Sequence, residues 1–113
     1  MTAAHHRLDN LVAVIDRNHL QQGATTEETT QLEPLADKLS AFGAEVREID
    51  AHDYDQLLDA FAAPPTPGRP TVILAHSHKG HPISFMSDRV GWHHHVPTAD
   101  EVDAIWAELE VVE

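Results

Sequence analysis

Three short strand-like runs separated by stretches of helical periodicity restrict this chain to a narrow set of folds. Leu11–Asp16 (LVAVID) and Thr71–His76 (TVILAH) are continuous, mostly apolar runs rich in β-branched residues. Such runs suit parallel strands buried on both faces. Glu45–Ile49 (EVREI) alternates instead, as a strand nearer a sheet edge does. Between them, Leu35, Leu39 and Phe42 form a helical stripe behind Pro34 that ends at Gly43. Asp53 and Gln56 have capping-box spacing and open a second helix through Leu57, Leu58 and Phe61, broken by the Pro-rich Ala63–Pro70. Strands alternating with helices specify an α/β fold, a parallel sheet of about three strands joined by right-handed crossovers with flanking helices.

The ends of the chain fit the same scheme. Thr2–Leu8 reads as the last turns of a helix, with His5, His6 and Arg7 favourable at its negative end. Thr98 and Glu101 repeat the capping-box spacing, and Val102, Ile105, Trp106 and Leu109 form the apolar face of a final helix. Two segments lack periodicity. Gln21–Gln31 is polar and Thr-rich, a loop. Lys79–Pro97 is a long loop, and loops this long in compact domains are commonly functional.

The chain has 113 residues, enough for one domain and a modest core, so residues 1–113 are read as a single unit. No apolar run approaches the length of a membrane span, and no signal-peptide pattern is present. Cysteine is absent, which excludes disulfides and thiolate metal sites and agrees with a cytoplasmic protein. The formal net charge of −12 argues against a nucleic-acid partner, which demands clustered Lys and Arg. An acidic chain that holds an anionic ligand must do so through a metal and backbone amides.

Chemistry-bearing residues gather where the apolar runs stop. The first run gives way to Asp16-Arg17-Asn18 and a polar turn (NLVAVIDRNHLQQG, Asn10–Gly23). The Asn18 side-chain oxygen and the Leu20 carbonyl are hard ligands suited to Mg²⁺. Carboxyl ends of strands are also where open α/β sheets bind ligands. By itself an Asp or Asn here equally well starts a turn. The third run ends at His76, with His78, Lys79, Gly80 and His81 following. At period two His76 and His78 would share a face. Most of the ten histidines lie in His76–His81 and His93–His95. Trp92 would pack under the loop, Phe85 and Met86 would anchor it, and Leu32–Leu39 and Trp106 would be core or interface.

These motifs, in this order, resemble the later part of the diphosphate-binding domain of transketolases. The likeness is closest to the split type, in which that domain is a separate N-terminal subunit, and runs from about Ala3 to Leu109. It implies the later half of a doubly wound, thiamine diphosphate-binding fold. It also implies a two-carbon ketol transfer between sugar phosphates, with thiamine diphosphate and Mg²⁺ as cofactors. In that family the metal is held by an Asp of an upstream Gly-Asp-Gly, by the Asn of this turn and by the carbonyl two residues on. Asn18 and Leu20 match the second and third, and Gly-Asp-Gly does not occur in these 113 residues. Asp16 would act as a strand-end hydrogen-bond acceptor.

His93, in GWHHHVP, resembles the family's loop histidine that approaches the diphosphate and the substrate, with His94 the next choice and His95 adjacent. His76, in H-x-x-K-G, would lie beside the cofactor, with Lys79 facing a phosphate, a carboxylate or solvent. His81 stands where a second Lys is common. The resemblance implies a partial subunit, inactive alone, from a late start at Met1, a truncated gene or a further split. Its expected partners are a fragment carrying Gly-Asp-Gly and a pyrimidine-binding subunit. An open flank at Leu11–Ile15 would favour self-association. Two other readings stand beside it. One is a non-enzymatic His-rich module that binds Zn²⁺ or Ni²⁺ through His76, His78 and His81 or through His93–His95. The other is an inert gene remnant.

Overall fold

A computed structural model describes residues 1–110, which divide into two compact units. The first comprises Met1–Arg17 and Leu32–Ser77; the second comprises Asn18–Gln31 and the chain from His78 onward.

The first unit is α/β. Its elements are α1 (Thr2–His5), β1 (Val12–Arg17), α3 (Leu35–Ala41), β4 (Glu45–Asp50), α4 (Tyr54–Ala62) and β5 (Thr71–His76). The three long strands form a parallel sheet in the order β1-β5-β4. The chain steps from β1 past β5 to β4 and then back, so right-handed crossovers put α3 and α4 on opposite faces. Three parallel strands with flanking helices is the architecture read from the sequence, and β4 lies at an edge as its alternation indicated.

Burial separates two strands of similar composition. Central β5 is buried from Thr71 to Ala75, with Ile73 at 0% exposure. Edge strand β1 is mostly exposed, with Val12 at 49% and Val14 at 52%. The expectation that the first apolar run is buried on both faces is therefore corrected: β1 pairs with β5 on one side, and its apolar side chains remain open. One core cluster lies on the α4 side, where Ile49, Ala60, Ile73 and Ala75 pack with Ala51 and Leu57, and Val72 and Leu74 are buried on the other face of β5.

Local signals explain most element boundaries. Asp53 caps α4 by accepting from the Asp55 and Gln56 amides, and the Gln56 side chain donates back to it at 2.8 Å. At the other end of α4, Arg47 donates to the carbonyls of Ala60, Ala63 and Pro64, a cation placed on the negative helix terminus. Gly43 ends α3 with φ of +94°, and a Cβ there would lie 2.7 Å from that of Ala4. The predicted apolar faces are only partly used. On α4, Leu57 turns inward, but Leu58 and Phe61 are exposed. Leu32, Leu35 and Leu39 are half-buried, and Phe42 is exposed.

The second unit contains α5 (Ala99–Leu109), a single 3₁₀ turn (Val90–His93) and a small substructure in Asn18–Gln31. That polar stretch is not a plain loop. It forms a two-residue hairpin, β2 (Leu20–Gln21) against β3 (Ala24–Thr25), followed by α2 (Thr26–Thr29). Thr25 and Glu28 make a full capping box, a signal hidden in a Thr-rich run. The Thr98–Glu101 capping box of α5 forms as expected. Its apolar face does not close: Ile105 is half-buried, while Val102, Trp106 and Leu109 are exposed, Trp106 at 62%.

Candidate functional site

In the first unit, polar groups line the carboxyl end of the parallel sheet. The register aligns Arg17, His76 and Asp50 across β1, β5 and β4. Aligned residues of parallel strands share one face. Arg17 is 2% exposed, although it is charged. Its Nε and a terminal nitrogen both reach one carboxylate oxygen of Glu33, at 2.9 and 2.8 Å. His76 Nε2 lies 3.0 Å from a Glu48 oxygen. Ser77 donates its hydroxyl to Asp16, so Asp16 is a strand-end acceptor as its position indicated. Neither the Arg17–Glu33 pair nor the Glu48–His76 pair was evident in the sequence, because each joins residues far apart along the chain. The only local hint was a charged residue closing an apolar strand.

In the second unit, Asn18 opens a tight turn. Its Oδ1 accepts from the Leu20 amide at 2.9 Å, and His19 sits in the left-handed region with φ of +62°. The Thr26 amide donates to the His19 carbonyl at 2.9 Å. Leu20 pairs with Thr25 in the next step of the hairpin. Antiparallel ladders alternate bonded and non-bonded pairs, so Leu20 belongs to a non-bonded pair. Its N–H and C=O therefore leave the free edge of the hairpin, the edge on which Asn18 Oδ1 lies. Asn18 Oδ1 and the Leu20 carbonyl are both uncharged hard oxygens, the donor type that a divalent cation such as Mg²⁺ takes.

The histidine-rich segment is ordered by contacts within the second unit. Strand β5 stops at His76, so His78 does not share its face by strand periodicity; that expectation is corrected. His78 Nδ1 instead meets Asp88 at 2.9 Å. Gly80, with φ of +86°, lets the chain pass close to Met86, where a Cβ would lie 2.8 Å from the carbonyl oxygen. The Lys79 ammonium is 3.5 Å from the Trp92 carbonyl, at the peptide that joins Trp92 to His93. Half-buried Trp92 touches the rings of Phe85 and His95, centroids 5.7 and 4.3 Å away, as its place under the loop implied.

The three adjacent histidines have different surroundings. His95 Nε2 bonds Glu101 at 2.9 Å, and that bond, followed by the Thr98 amide, holds the Glu101 carboxyl below its usual range. His93 and His94 meet edge to face at 4.5 Å and are both exposed. Among the described residues no group of three or more His, Cys, Asp or Glu is placed to hold a metal. The His-rich metal module thus has no ligand set among them.

No family model matches the chain. Curated sequences do. The chain is 39% identical over 110 residues to an apulose-4-phosphate transketolase subunit of Actinobacillus succinogenes, covering 97% of this chain and 40% of that protein. It is 39% identical over 111 residues to a 6-deoxy-6-sulfo-D-fructose transketolase subunit of a Clostridium species, again 97% and 40%. Human transketolase-like protein 2 is 35% identical over 104 residues, 91% of this chain and 17% of that protein.

The chain fits a fragment of the transketolase family. It spans about two fifths of the length of the bacterial subunits it matches. Dependence on thiamine diphosphate is general among transketolases, and the α/β architecture agrees with part of a fold that binds it. No helix of the described residues is long and apolar enough to cross a membrane.

Proposed function

We propose that this chain forms part of a thiamine diphosphate-dependent subunit that transfers a two-carbon ketol unit between sugar phosphates, acting in the cytoplasm. The observation that carries the reading is the Asn18 turn, with an amide oxygen and the Leu20 carbonyl on one edge. Asn18 Oδ1 and the Leu20 carbonyl would hold Mg²⁺ against the cofactor diphosphate. When bound, thiamine diphosphate supplies the nucleophilic carbon that carries the ketol unit.

His93, exposed beside the Lys79-bonded peptide, would donate to the diphosphate or move a proton at the substrate. His76, at the end of the central strand, would orient the cofactor, its imidazole steadied by Glu48. The two donor oxygens carry no charge, so an anionic metal ligand would come from a partner segment, and the resemblance assigns the pyrimidine-binding surface to a partner subunit. A segment bearing Gly-Asp-Gly and a pyrimidine-binding subunit are the partners this chemistry requires. The chain alone is then inactive. The names of the two bacterial relatives support a phosphorylated or sulfo sugar as its substrate class.

The test is a thiamine diphosphate titration in the presence of both partner segments. Asn18→Ala should weaken cofactor binding by about one to two powers of ten, the scale of 1–3 kcal/mol for a polar partner lost. His93→Ala should leave binding near the parent value and lower turnover by about 10²-fold or more. Parent-like cofactor affinity in Asn18→Ala, together with loss of binding in His93→Ala, refutes the assignment.

A further inference from the structure

We propose that Arg17 and Glu33 form a clamp that closes the base of the Asn18–Gln31 excursion and thereby positions Asn18 and Leu20. The inference rests on the proposed metal-holding turn for its use and on independent geometry for its existence. Arg17 is the last residue of β1, and Asn18 follows it directly. Glu33 lies just beyond the other end of the excursion, two residues before α3 begins at Leu35. One carboxylate oxygen of Glu33 takes both Arg17 nitrogens, at 2.9 and 2.8 Å. The other takes the Leu35 amide at 2.8 Å. A single carboxylate therefore ties the end of β1 to the start of α3, and every residue of the excursion lies between those two points.

The guanidinium is almost wholly buried, at 2%, whereas the Glu33 side chain is 47% exposed. A buried cation at a sheet end is held by its partners and cannot drift, and a planar guanidinium fixes direction as well as distance. Closing the base of a chain excursion also removes part of its conformational freedom. The excursion itself contains only a two-residue hairpin and one turn of helix, and it is grouped into a compact unit with the chain from His78 onward, so the clamp adds to those contacts at its base. Arg17 is thus a positioning residue: it acts through Asn18 and Leu20 and need not touch cofactor or metal.

Amide hydrogen exchange on the full chain tests this, read at Thr26 in the excursion and at Ile73 and Leu74 in the core. Arg17→Met and Glu33→Gln should each speed exchange at Thr26 by about tenfold or more and leave Ile73 and Leu74 unchanged, the signature of local opening. Arg17→Lys keeps the charge without the planar fork, so it should recover only part of the protection. The ¹H–¹⁵N nuclear Overhauser effect of the Asn18 side-chain amide should fall in the same order, a local readout that a general loss of stability would not select. Unchanged exchange at Thr26 in both Arg17→Met and Glu33→Gln overturns the clamp. If Arg17→Met unfolds, Glu33→Gln decides, since it alters the half-exposed partner alone. A Mn²⁺ titration of the parent and of Asn18→Ala, each with thiamine diphosphate and both partner segments present, separates the two ideas. Equal Mn²⁺ affinity in both defeats the metal reading and leaves the clamp judged by exchange alone.

Discussion

Strands β1 and β5 are neighbours of nearly the same apolar content, yet they occupy opposite environments. Val14 of β1 and Ile73 of β5 stand side by side in register, one 52% exposed and the other fully buried. The difference arises from sheet order. β5 has a strand on each side and helices over the sheet, while β1 has a partner on one side among the described residues. An apolar run records the burial a strand was selected for, and tertiary context decides how much of it one chain supplies.

The largest expected effect would break that contrast directly. Ile73→Ala should destabilise the chain by about 2–5 kcal/mol, from lost burial plus a cavity. Val14→Ala, one strand away, should change stability by no more than ~0.5 kcal/mol. Urea unfolding of both variants measures the difference, and equal losses would show β1 to be buried by self-association.

That association is the second expectation. Open apolar strand edges pair with other chains, and a lysine on the edge opposes it. Val14→Lys should weaken concentration-dependent association by about tenfold, or 1.4 kcal/mol, in sedimentation. A parent chain that stays monomeric at high concentration removes the premise.

Smaller effects sharpen the contrast between the sheet unit and the loop-rich unit. Thr98→Ala deletes the α5 cap and should cost about 1 kcal/mol. Exchange should then rise through the first turn of α5 while β5 stays protected. Acid should act on the same elements. Glu101 is held below its usual pKa by His95 and the Thr98 amide, and Glu108 by the Ser84 hydroxyl and amide. Glu45 in the sheet unit is held down by Thr66 and Arg47. A carboxyl lowered on folding adds stability above its ordinary range and forfeits it as pH falls through the lowered value. A melting series should therefore show stability declining below the usual carboxylate range. Glu108→Gln should flatten that decline slightly, and an unchanged acid limb would count against the Ser84 contact.

Much of the fold was legible because its signals are local. β-branched runs mark the strands, Thr98 and Glu101 mark the start of α5, and Gly43 marks the end of α3. The capping box at Thr25–Glu28 was equally local but lay in a Thr-rich stretch with no apolar face, so no periodicity drew attention to it. The site was legible in part. Asn18 and Leu20 are two residues apart, and the turn that joins their polar atoms is a local event. The faces of α4 and α5 were overestimated for a different reason. Spacing identifies which residues share a stripe, but Leu58, Phe61 and Trp106 show that a stripe is buried only where another element lies against it.

From its sequence alone the chain determined its alternating strands and helices, its acidic charge and the polar turn after the first strand. Those features depend on backbone sterics, hydrogen-bond capping and composition, all of which act within a few residues. Only the tertiary structure decided that β5 is central, that Arg17 is buried against Glu33, and that His95 is tied to Glu101 while His93 is exposed. Strand order and the Arg17–Glu33 and Glu48–His76 pairs join residues distant along the chain. His95 and Glu101 are near in sequence, but the loop between the 3₁₀ turn and α5 sets which histidine meets the carboxylate. In each case the partner is chosen by how the backbone closes in space, which no short stretch of sequence specifies.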